Sequence, residues 1–116
     1  MCDHIEFLHY PIDDSFKLFG KEWAGLVLME LFRGTDRFNT LLKTLPGISP
    51  RTLSMRLDDL EKTGLAIRTA TDSSSPRIRY ELTSKGEEMR HLVREMASFS
   101  LRWFGENTLE TNPVEA

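Results

Sequence analysis

Six residues of one short segment, Ser49, Arg51, Thr52, Ser54, Met55 and Arg56, carry chemistry suited to a phosphate-rich partner. Two guanidiniums and three hydroxyls donate hydrogen bonds to phosphate or to base edges, and a thioether offers apolar contact. Their spacing matters as much as their types. At about 100° per residue from Arg51, Met55, Thr52 and Arg56 fall near 40°, 100° and 140°, while Leu60, Leu53 and Leu57 fall near 180°, 200° and 240°. One face of such a helix is aliphatic and the other presents the polar set at its N-terminal end, where recognition helices place their base-reading residues. An ordinary amphipathic helix with a solvated outer face has the same pattern. Arg77 and Arg79 alternate onto one face of a strand and sit beside a serine-rich turn at Ser73, Ser74, Ser75 and Pro76. A basic hairpin next to a basic helix is suited to straddle a phosphate backbone.

Other candidate chemistry is thin. Cys2, His4 and His9 fit no closed zinc spacing and lack a fourth ligand, so no metal is expected. No phosphate-cradling glycine loop, Ser/His/Asp set or Cys/His set is present, so neither a catalytic residue nor a cofactor is expected and the chain does not read as an enzyme. Glu87 and Glu88 suit a helix N-terminus, and His91 reads as an exposed or interface residue.

The elements that must position these residues follow from periodicity. Asp13 and Asp14 open a short helical pattern that ends near Gly20. KEWAGLVLMELF, apolar nearly all round, predicts a central buried helix ended by Arg33 and Gly34. Phe38, Leu41, Leu42 and Leu45 mark a third helix, turned by Pro46 and Gly47. Ser49 and Pro50 are a favoured cap and first residue for the helix that stops at Gly64. LAIRTA and RIRYEL have period-2 patterns and predict a hairpin, with Leu65, Ile67 and Thr69 on one strand face. Thr83 caps a long last helix, whose stripe of Met89, Leu92, Val93, Met96, Phe99, Trp103 and Phe104 exceeds what a small domain can cover, and so predicts a dimer seam. Residues 1–12 read as an arm, 13–104 as one domain and 105–116 as a flexible tail. The fold class expected is mainly α with a small β-hairpin wing, a winged helix-turn-helix.

The chain has 116 residues, enough for one domain, and no apolar run long enough for a membrane span or a signal peptide. One cysteine forms no internal disulfide, so a cytoplasmic location is expected. The net charge of −3 argues against nucleic acid, but its distribution does not. Residues 33–86 carry ten basic and six acidic groups, between ends where acid outnumbers base six to two and six to three. A local basic field is what phosphates meet.

Together these segments make the chain resemble the HxlR-type winged-helix transcriptional regulators, which are MarR-like. The Gly-Lys-Trp hallmark is met by Gly20, Lys21 and Trp23 with Glu22 interposed; Arg-Phe-Asn-x-Leu by residues 37–41; Leu-x-Gly-Ile-Ser-x-Arg-x-Leu by residues 45–53; and Tyr-x-Leu-Thr-x-x-Gly by residues 80–86. The resemblance covers roughly residues 10–100. It implies a homodimeric regulator of double-stranded DNA, with the N- and C-terminal helices at the dimer interface, Ser49 to Arg56 in the recognition helix and Arg77 and Arg79 in the wing. Two departures stand out. Tyr10, Pro11 and Ile12 stand where many members have Cys-Pro-Ile, so the thiol that senses oxidants in some of them is absent, and Cys2 lies eight residues earlier. Met55 stands where the family often has glutamine, exchanging an adenine hydrogen bond for apolar contact. Two other readings remain: a protein-docking winged helix that never touches DNA, and a regulator released by a small molecule or a redox signal.

Overall fold

The computed structural model describes residues 11–70 and 77–105. The acidic arm with Cys2, His4 and His9, the serine-rich turn at 73–76 and the chain beyond 105 lie outside them. The order is α1 (Pro11–Phe19), α2 (Ala24–Phe32), α3 (Phe38–Thr44), α4 (Pro50–Lys62), β1 (Ala66–Ala70), β2 (Ile78–Leu82) and α5 (Ser84–Phe104). This is the winged helix-turn-helix arrangement, five helices and one hairpin among the described residues.

α1 starts at Pro11, two residues before the expected Asp13, since proline is suited to a first helical turn. The segment expected to be helical from Lys21 becomes so only at Ala24. Residues 20–23 turn instead, with the Gly20 amide donating to the Phe16 carbonyl at 2.7 Å and the Ala24 amide to that of Lys21 at 3.1 Å. Trp23 ends this turn in the left-handed region, φ 77°. For a side chain this large the conformation costs about 1–2 kcal/mol. The half-buried indole packs against Gly47, whose own φ of 100° suits a residue without a Cβ.

α2 is the hub, touching α1, α3, α4, α5 and β2. Val27 and Leu28 on it, Leu41 on α3, and Leu53, Leu57 and Leu60 on α4 are the largest fully buried side chains. Each contributes about 1.5–3 kcal/mol by leaving water. Glu30 is the one charged residue buried in α2; its carboxylate accepts from Arg33 at 2.9 Å and from the Thr35 hydroxyl at 3.0 Å, which closes the turn after the helix.

β1 and β2 pair antiparallel, with Ala66 opposite Leu82, Arg68 opposite Tyr80 and Ala70 opposite Ile78. The face carrying Ala66, Tyr80 and Leu82 meets the core. Ile67 points the other way and is exposed, although Leu65 is buried, because Leu65 precedes the strand where the chain is still turning out of α4. The hairpin is moored to the helix-turn-helix by the loop before α3: the Tyr80 amide donates to the Asp36 carbonyl at 2.9 Å, and Arg79 Nε to Asp36 Oδ2 at 3.0 Å.

The last helix is moored as tightly. Thr83 caps α5 by accepting from the Gly86 amide at 3.0 Å, and its hydroxyl donates to the Gly64 carbonyl. Its own amide donates to the Leu65 carbonyl at 3.0 Å. Gly86 is buried so close to the Leu65 carbonyl that a Cβ there would overlap the oxygen. The start of α5 is thereby fixed to the end of α4.

Candidate nucleic-acid interface

α4 forms as its local sequence dictates. Ser49 is extended, and its Oγ accepts from the Thr52 amide at 3.0 Å while its hydroxyl donates to Thr52 Oγ1 at 2.9 Å. Pro50 occupies the first turn. Leu53, Leu57 and Leu60 take the aliphatic face into the core, so the opposite face is left to solvent. Ser49, Arg51, Ser54 and Met55 are exposed there and Thr52 is partly so. The structure brings these five together on one surface at the N-terminal half of the helix.

Arg56 is placed differently. Its side chain is 13% exposed and turned along the helix, donating from Nη1 to Asp59 Oδ2 at 2.6 Å, and its Nε is buried without a partner. The other Asp59 oxygen meets Lys21 at 3.1 Å, from the turn between α1 and α2. Burial works to raise the Asp59 pKa, but hydrogen bonds and charge from Lys21 and Arg56 overcome it and hold the carboxyl below its ordinary value. The sequence alone gave Asp59 no role. Its i,i+3 relation to Arg56 was there to be read, whereas the contact with Lys21 crosses the fold and has no local signal.

On the wing, Arg77 and Arg79 precede and occupy β2 with the same parity. Arg77 is exposed. Arg79 is half-exposed and shared between Asp36 and, at 3.8 Å, Glu81. Asp36 is a residue the sequence did not single out, because it lies 43 positions from its arginine. Arg68 on β1 adds a further exposed cation.

The expected seam on α5 divides in two. Val93 is buried in the chain's own core and Met89 packs against it. Leu92, Met96, Phe99 and Trp103 fall within about 60° of one another around the helix and are exposed, Trp103 at 64%. Phe16 on α1 and Leu26 on α2 are exposed large apolar residues as well. Among the described residues no three His, Cys, Asp or Glu gather as a metal ion would require, and no helix is long and apolar enough to cross a membrane.

A family profile described as "HxlR-like helix-turn-helix" matches residues 18–108. The HTH-type transcriptional regulator sll1512 of Synechocystis is 36% identical over 100 residues, 86% of this chain and 74% of its own. YvaP of Bacillus subtilis, also an HTH-type transcriptional regulator, is 31% identical over 110 residues, 95% of each chain. The reduced form of the transcriptional regulator YodB of B. subtilis superposes with a TM-score of 0.75 at 29% identity, over 82% of this chain and 93% of that one. YodB has also been solved in diamide-treated and quinone-bound forms.

Proposed function

This chain belongs to the HxlR-like helix-turn-helix family of transcriptional regulators, and from that premise we propose that it binds an inverted-repeat DNA operator as a homodimer. The observation that carries the reading is the outer face of α4, where Ser49, Arg51, Thr52, Ser54 and Met55 share one solvent-facing surface above a fully buried leucine row. In this reading the N-terminal half of α4 lies in the major groove. Arg51 contacts a base edge, Thr52 and Ser54 bond phosphate or bases, and Met55 meets a thymine methyl. The cap takes the Thr52 amide, Pro50 has none and the Leu53 amide bonds the Ser49 carbonyl. A phosphate arriving at this terminus therefore meets the Arg51 amide. Arg77 and Arg79 hold the flanking backbone. Arg56 contributes by exchanging Asp59 for a phosphate.

The dimer in this reading forms through α5 and α1, burying Leu92, Met96, Phe99 and Trp103, with Met89 and Val93 backing them from inside. Isolated exposed apolar residues are ordinary, but a row of four along one helix face marks an interaction surface. The redox reading has less support here. The forms in which YodB was solved speak of that protein, and the single thiol of this chain is Cys2.

A mobility-shift assay with promoter fragments from the source genome tests the function. The expected result is a retained fragment whose affinity falls steeply with salt, as counterion release requires. Failure to retain any fragment at low salt contradicts it and favours a winged helix that docks protein.

A further inference from the structure

A cleft of about 550 Å³ opens on the side of the molecule, between α1, the C-terminal end of α4 and the first turns of α5. Its volume is within the range of small-molecule sites, about 300–1,000 Å³. Its floor is apolar, made by Leu18, Leu65 and Met89. Lys17, Lys21, Lys62 and Lys85 line it against two carboxylates, Asp14 and Asp59, an excess of cations. Lys17 pairs with Asp13 at 3.3 Å and Lys62 with Asp58 at 3.0 Å, both mostly exposed pairs that an incoming anion can replace at little cost. The hydrogen bond and charge of Asp58 raise the Lys62 pKa. Lys85 donates to the Thr63 carbonyl at 2.6 Å and has no carboxylate in ion-pair range among the described residues. Lys21 is the lysine bound to Asp59.

We propose that this cleft binds a small organic carboxylate, its charge among Lys21, Lys62 and Lys85 and its apolar body on Leu18, Leu65 and Met89, and that occupancy tightens the hold of Asp59 on Arg56. A carboxylate that takes Lys21 leaves Asp59 to Arg56 alone. Arg56 then leaves for a phosphate less readily, and operator affinity falls. The coupling rests on the reading of α4 given above; the binding does not.

The probe is 2-naphthoate, with neutral 2-naphthamide and inorganic phosphate as controls, titrated into the full chain without DNA by calorimetry. Saturable naphthoate binding is expected, weakened at least about tenfold in Lys62→Gln/Lys85→Gln. Lys43→Gln, outside the cleft, should bind as the parent does, and all variants should keep the parent's helical circular dichroism. Equal binding of naphthamide or phosphate, undiminished affinity in the double variant, or no saturation at millimolar naphthoate overturns the site. With a bound duplex, saturating naphthoate should lower operator affinity at least about fivefold, and DNA should lower naphthoate affinity by the same factor. Asp59→Asn should abolish that change while still binding naphthoate. Naphthoate binding with unchanged operator affinity would overturn the coupling and leave the site standing, and loss of DNA binding alone touches only the reading of α4.

Discussion

Arg51 and Arg79 are both arginines near a proposed duplex, yet their surroundings assign them different work. Arg51 stands exposed near the start of α4. Arg79 is held by Asp36 at the base of the wing. Arg51→Ala should cost about 1–3 kcal/mol of operator binding and relax sequence preference at one position. Arg79→Ala should weaken all duplexes alike and lower the salt slope by about one. Anisotropy on matched and single-base-changed duplexes separates the two; equal losses without change in discrimination would contradict the division. Asp59 can be examined without DNA. Its carboxyl, facing Lys21 and Arg56 with Lys62 and Asp58 nearby, is held below the ordinary value of 3.8. A depressed carboxylate stabilises the fold above its unfolded-state pKa, and that contribution is lost as pH falls through the folded-state value. Urea melts of the parent and Asp59→Asn should therefore differ near neutral pH and converge as pH falls below the ordinary carboxylate value of 3.8. A constant difference would show that the pairs contribute nothing.

Between elements, the joint of α4, β1 and α5 is the least forgiving part of the fold. Gly86→Ala would push a methyl into the Leu65 carbonyl, and in so crowded a place the cost should be about 1–3 kcal/mol or more by thermal melting. Leu57→Ala, in the fully buried row, should cost about 2–5 kcal/mol by the same measurement. Much of this level was readable beforehand. Both caps, Ser49 and Thr83, behave as their residue types suggest, since a cap is a contact over three residues. The leucine row was also readable, because helical periodicity alone decides which face is apolar. The start of α2 was not: Trp23 breaks the helix by a backbone conformation that its side chain disfavours, with its ring held against Gly47 and the core. The candidate surface was readable to the same depth. Arg51, Thr52 and Met55 lie on the outer face where the helical wheel puts them, and Arg56, near the wheel's border, was drawn aside by Asp59. The Asp36 mooring and the lysine cleft join residues distant in sequence, so no local pattern announces them.

For the molecule as a whole, one joint links the proposed reading helix to the proposed pairing helix. α5 carries the exposed row, and its first turn is hydrogen-bonded to the end of α4. A pair of chains joined through α5 therefore holds two α4 helices at a fixed separation, which is what an inverted repeat demands. Phe99→Glu, which puts a charge into the middle of the row, should leave the monomer folded and shift sedimentation at micromolar concentration from dimer to monomer. A parent chain that sediments as a monomer would remove the dimer. Selection of bound duplexes from a random pool by the purified parent chain tests the central claim most directly. The account predicts an enriched inverted repeat with half-sites about 10–10.5 base pairs apart, centre to centre, or a multiple of that. Enrichment of a single unrepeated site, or of none, would contradict it.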